Sequence, residues 1–115
     1  MKGRPGDLIR ILHMLKAVDD IDSYIDQMTY NAFEDSSITH NAVIRQLEII
    51  GEAANHISSE TKTLYPEVAW VQITALRNLL IHQYFGVDIP IVWQIIKTDL
   101  PILKEQLLKI KTEYQ

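Results

Sequence analysis

Apolar residues recur along this chain at the spacing of helix faces, with no run of strand-like alternation. Leu8, Ile11, Leu12, Leu15, Val18, Ile25 and Met28 follow "RPGD" and predict a first helix over about 7–29, with Asp7 placed to cap it. "TYNAFEDSS" reads as a connection or short turn. A second helix over about 38–60 carries Val43, Leu47, Ile50, Ala54 and Ile57, which fall within about 80° of one another on a helical wheel. Ala42, Ile49 and Ala53 widen that stripe on one side, and Ile44 and Gly51 on the other. Only Arg45, Glu48, Glu52 and Asn55 form a polar strip. A helix so broadly apolar is buried on several sides, which in a small protein predicts a neighbouring subunit. Gly51 inside it costs about 1 kcal/mol relative to alanine, and close backbone packing would justify it.

"LYPE" breaks the pattern, and Glu67 is placed to open a third helix over about 67–84. Gly86 stops it, and Asp88 with Pro90 restarts the chain as cap and first turn. The last segment, about 89–112, contains "TDLPIL". There Asp99 is a second cap candidate and Pro101 falls in a first turn, so a kink or break is expected near 98–101. With no internal repeat, these elements predict one all-α domain over 1–115. Its form is an antiparallel four-helix bundle with short extra helical turns.

Charge and composition narrow what such a bundle does. The chain has 115 residues, a net charge of −4 and no cysteine, which excludes disulfides and thiolate metal sites and fits a reducing cytosol. "MKGRPGDLIR" has no apolar run behind it and does not read as a signal peptide, and no stretch reaches the roughly 20 apolar residues of a membrane span. A cytoplasmic protein is the expectation. No Lys or Arg lies between Ala17 and Ile44, where Asp19, Asp20, Asp22, Asp26, Glu34 and Asp35 gather. Stable nucleic-acid binding wants a basic face, so any RNA contact should be brief and local. Gly-rich phosphate loops and His-Glu-x-x-His are absent, and His13, His40 and His56 are scattered, so neither metal nor cofactor is expected. Trp70 and Trp93 read as core or interface anchors.

One constellation remains, in "RNLLIHQYFGVD" (residues 77–88). On an ideal helix Arg77 and Tyr84 lie about 20° apart and Asn78 and His82 about 40°, but Arg77 and His82 about 140°. Convergence therefore needs the reach of arginine, a loosened turn near Gly86, or a second copy of the helix across a dimer. A helix whose polar face merely happens to hold these residues stays open as the alternative. If they converge, Arg77 offers a planar cationic fork for a phosphate, and His82 titrates near neutrality and can move a proton at a ribose 2′-OH or leaving oxygen. Asn78 could hold a phosphate oxygen or orient the imidazole. Such a set describes metal-independent RNA cleavage leaving a 2′,3′-cyclic phosphate.

The same residues resemble the Arg-x-x-x-x-His-x-Tyr motif of the HepT-like toxins, within the HEPN superfamily of helical ribonucleases. "AVIRQLEIIGEAANHIS" is similar to that family's second helix, with its Gly-Glu-Ala triplet at Gly51, Glu52 and Ala53. "LYPEVAW" resembles its approach to the motif helix, with Ala69 where the family tends to have Pro, and "VDIPIVWQIIKTDLPIL" resembles its last helix. "TALRN" departs from the Ala-Gly-Met run that commonly precedes the Arg-Asn. The resemblance implies a HEPN-like fold and the toxin of a type VII-like toxin–antitoxin pair. It implies an endoribonuclease homodimer with Arg77 and His82 catalytic and Asn78 beside them. It also implies an MntA-type nucleotidyltransferase antitoxin that silences the toxin by adenylylating Tyr84. Glu52 is expected to support Arg77 or Asn78 on a separate ground, since an arginine in a partly dry site needs a counter-charge; a solvated face with local Arg45–Glu48 pairing is the alternative. A competing expectation is a non-catalytic helical subunit that regulates or binds a nucleotidyltransferase.

Overall fold

The computed structural model describes residues 3–78 and 88–115. Helix α1 runs Asp7–Tyr24 and stops short of the expected end near residue 29, because the chain turns through Gln27, which takes a positive φ of 59°. The following stretch is more than a connection. Thr29 accepts from the Ala32 amide and starts the short α2 (Tyr30–Glu34), whose Phe33 is fully buried. Ser36 accepts from the Thr39 amide and starts α3, Ser37–Asn55. Ser58 then accepts from the Thr61 amide, so the predicted 38–60 helix is two helices, with α4 at Ser59–Leu64. Each hydroxyl satisfies an orphan amide of a first turn, and this local reward ends one helix and starts the next.

The third predicted helix starts late, at Trp70 and not Glu67. The Tyr65–Ala69 turn is held by the Trp70 indole N–H, which donates to the Tyr65 carbonyl at 2.9 Å. Helix α5 (Trp70–Ala75) tightens into a 3₁₀ turn at Leu76–Asn78. Asp88 caps α6 (Ile89–Gln94) by accepting from the Ile91 amide, with Pro90 in the first turn as expected. The expected break near 98–101 is a π-helical turn at Ile95–Asp99, leading into α7 (Leu100–Tyr114). Asp99 caps nothing there. Its backbone is already helical (φ −81°, ψ −39°), whereas a capping side chain requires an extended residue.

Helix α1 lies between α3 and α7 and runs antiparallel to both. Asp7 at its start meets Ser58 and Thr61 beyond the end of α3, and Thr61 meets Tyr114 at the end of α7. Farther along, Lys104 pairs with Asp19 at 3.1 Å. The core takes the predicted stripe of α3 and, from α1, the predicted Ile11, Leu15 and Val18, but it adds Met14 and Ile21 and leaves Leu12 exposed. The buried α1 residues pack against Val43, Leu47 and Ile50 and against Leu103, Leu107 and Ile110. No described residue lies in a strand. The expected all-α bundle is the fold.

The least expected feature is the buried Asp7 carboxylate. It is the first residue of α1 and not its cap, which is Gly6. One oxygen accepts from the Ser58 amide at 3.0 Å. The other takes the Ser58 hydroxyl at 2.6 Å, the Thr61 hydroxyl at 2.5 Å and the Arg4 amide at 3.1 Å. Thr61 has spent its one proton on the carboxylate, so the Tyr114 hydroxyl is the donor to Thr61 at 2.7 Å. Beside it the Tyr65 hydroxyl donates to Glu113, and burial followed by that carboxylate pushes the phenol up to about 12. Burial works to raise the Asp7 carboxyl, but the Ser58, Thr61 and Arg4 donors together outweigh it and leave it below its ordinary value.

Asp7→Ala strands buried donors and should cost about 2–4 kcal/mol, read as a lower urea midpoint at unchanged helicity. The native carboxyl is the stronger acid, so its contribution is complete above the ordinary aspartate range and is lost as pH falls through the depressed native value. Wild type should therefore lose part of its advantage over Asp7→Ala below that range, and equal urea midpoints at neutral pH would refute the assignment.

Candidate active site

Helix α3 carries the α5–3₁₀ segment across its face at Gly51. A Cβ built on Gly51 would stand 3.0 Å from the Ile73 carbonyl oxygen and 3.1 Å from the Leu76 carbonyl carbon, and would collide with the Arg77 amide. The glycine read as a cost inside a helix is thus the point where a second backbone rests on it. At the same place the Leu76 amide bonds back to Ile73, three residues earlier, which begins the tightened turn.

This crossing buries the backbone and leaves the side chains outside. Arg77 and Asn78 are both exposed, while Ile73, one turn earlier, is buried in the core. A 3₁₀ turn advances about 120° per residue, so the ideal-helix angles used for this motif do not hold across Leu76–Asn78. The expected distortion near Gly86, together with His82 and Tyr84, lies outside the described residues. The structure therefore brings Arg77 and Asn78 together on one turn over Gly51.

The polar strip of α3 is split. In the single chain Glu52 pairs with His56 at 3.0 Å, one turn on, with its side chain 58% exposed. Among the described residues its hydrogen bonds and ion pairs do not reach Arg77 or Asn78. Glu48, on the flank of the strip nearer Gly51, is half-buried. One carboxylate oxygen is shut from solvent without a partner among the described residues. Burial raises its pKa, against the pull of Arg45. The sequence placed Glu48 in the polar strip but gave the supporting role to Glu52. His40 is a packing residue, its ring against Phe33 and its Nε2 bonded to the Phe33 carbonyl oxygen.

The apolar breadth of α3 is used inside the chain. Val43, Ile44, Leu47, Ile50, Ala53 and Ala54 are buried against α1, α2, α5 and the 3₁₀ turn. That breadth therefore no longer points to a second subunit.

An all-helical domain that holds an Arg-Asn pair on a pinned turn, five residues ahead of a histidine, matches one family along most of its length. The family model described as "Ribonuclease HepT-like" covers residues 14–110. A Thermococcus cleftensis protein named "Probable ribonuclease HepT" is 38% identical over 84% of this chain and 87% of its own length. "Putative RNase MJ1380" of Methanocaldococcus jannaschii is 38% identical over 82% of this chain and 86% of its own. "Gamma-glutamylcyclotransferase and putative RNase MJ0434" of the same organism is 38% identical over 91% of this chain, which spans 47% of that longer protein. No solved structure matches the chain. The protein belongs to the HepT-like ribonuclease family.

Alanine at Gly51 tests the crossing. In an open helix Gly→Ala gains about 1 kcal/mol, but here the methyl group meets backbone that cannot swing aside. Gly51→Ala should lower the thermal midpoint, and a raised midpoint would show that the two backbones are not in contact.

Proposed function

We propose that the chain is a metal-independent endoribonuclease that cleaves RNA by internal attack of the 2′-OH, with Arg77 and His82 as its catalytic residues. The observation that carries this reading is the presentation of Arg77 and Asn78, exposed side chains on a backbone pinned to Gly51, at the head of the Arg-x-x-x-x-His-x-Tyr pattern of this sequence. A guanidinium held at its root and exposed to solvent suits a phosphate whose charge grows in the transition state. His82 supplies the proton transfer, and Asn78 holds a phosphate oxygen or the imidazole. Glu52 acts as the supporting carboxylate when it leaves His56 for the cleft. The active form in this reading is a homodimer in which two motif segments complete one cleft, as the family resemblance implies.

The biological setting we propose is a type VII-like toxin–antitoxin pair in the cytoplasm. An MntA-type nucleotidyltransferase silences the toxin by transferring AMP to Tyr84. Each AMP adds bulk and negative charge to the segment that holds Arg77, where the substrate phosphate would sit. The acidic surface supports transient RNA contact, because Lys16–Asp20 and Lys104–Asp19 pairs occupy two of the lysines that a phosphate backbone would otherwise recruit.

The purified protein, incubated with tRNA and mRNA in the presence of EDTA, should yield fragments ending in 2′,3′-cyclic phosphate. Arg77→Ala and His82→Ala should each lower the rate by about 10²–10⁴ at unchanged helicity. Wild-type cleavage in either variant would overturn the site. An intact wild type that cleaves no RNA would instead favour the regulatory-subunit reading.

Tyr84→Phe separates regulation from catalysis, because it removes only the phenol oxygen. The variant should cleave like wild type but take no label from ATP when a cognate nucleotidyltransferase is supplied. Label on another residue, or lost cleavage, would remove Tyr84 from its regulatory role.

A further inference from the structure

A groove of about 430 Å³ opens between α5 and α7, beside the π-helical turn. Ile73, Leu76, Ile95 and Leu103 form its apolar walls. Ile102 also lines it while staying 55% exposed. The two ends are acidic. Asp99 stands at one. At the other, the Gln106 amide donates to the Glu67 carbonyl at 3.2 Å and fixes Glu67 beside it. Among the described residues, no Lys or Arg lines the groove. Asp99 and Gln106 are seven residues apart, which sets Asp99 and the Glu67 backbone held by Gln106 about 10 Å apart along the helix.

We propose that this groove is the docking site for a basic amphipathic helix of a partner protein. Its walls are helices, so it offers no sheet edge to an extended peptide, and a third helix fits between two as ridges fit grooves. The occupant carries Lys or Arg at positions i and i+7, also about 10 Å apart, with large apolar residues at i+3 and i+4 between them. A symmetric contact with a second copy would set Glu67 and Asp99 against their own counterparts, with no basic lining to offset them. Leu76 forms part of the groove and directly precedes Arg77, so a docked helix would rest on the turn that presents the Arg-Asn pair. The docking itself does not depend on the ribonuclease reading.

The test uses the full-length chain and a fluorescein-labelled alanine-based peptide of about 16 residues, with Lys at i and i+7 and Leu at i+3 and i+4. Anisotropy should show saturable binding that weakens about tenfold or more with Ile102→Asp, an exposed position whose change leaves the helicity intact. Glu67→Lys combined with Asp99→Lys should weaken it similarly and should prefer a peptide bearing Glu at i and i+7. The proposal falls if the wild type shows no saturable binding, or binds the Lys and Glu peptides alike. It also falls if Ile102→Asp lowers the sedimenting mass while peptide binding is unchanged, which would assign the groove to a second copy.

Discussion

A carboxylate removed from water is costly unless donors surround it, and Asp7 is surrounded. Its partners come from the N-terminal arm, from the first turn of α4 and, through Thr61, from the last turn of α7. The antiparallel packing of α1 against α3 and α7 brings these distant pieces to one end of the bundle, and the hydrogen bonds lock that end. Apolar stripes alone tolerate sliding by a helical turn. A buried charge that needs particular partners does not, which is how a polar group in a core can set register.

From that fixed frame the geometry passes to the candidate site through Gly51. Register along α3 decides which residue meets the α5–3₁₀ segment, and only a residue without a side chain lets the two backbones touch. The result is a divided turn in which Ile73 enters the core while Arg77 and Asn78 face outward. The catalytic role proposed for Arg77 would use this combination, an exposed charge on a backbone packed against Gly51. The same segment walls the apolar groove, where Leu76, the residue before Arg77, is part of the lining.

Charge is distributed to match. The acidic stretch of α1 is partly neutralised, with Lys104 reaching Asp19 and, at 3.9 Å, Asp22, and Lys16 holding Asp20. These exposed pairs add little stability, but they take cations out of the field that an RNA would feel.

The chain's periodicity determined the helical class, the core stripes and the restart at Asp88–Pro90, because burial of a helix face is written every three to four residues. Gly51 was legible as a site of close packing, because a glycine inside a helix has few other uses, and Arg77 and Asn78 were legible as candidates for chemistry. Helix ends were less legible. The hydroxyls of Thr29, Ser36 and Ser58 each won a local contest with helix continuation that the apolar pattern does not record. Tertiary structure alone decided the rest. Asp7 looked like a cap and became a buried acid, since its partners lie more than fifty residues away. The apolar breadth of α3 looked like a subunit interface, and was consumed by α1 and α5. Which backbone crosses Gly51 was likewise invisible in one dimension, because a contact between segments is a property of their packing and of neither segment alone.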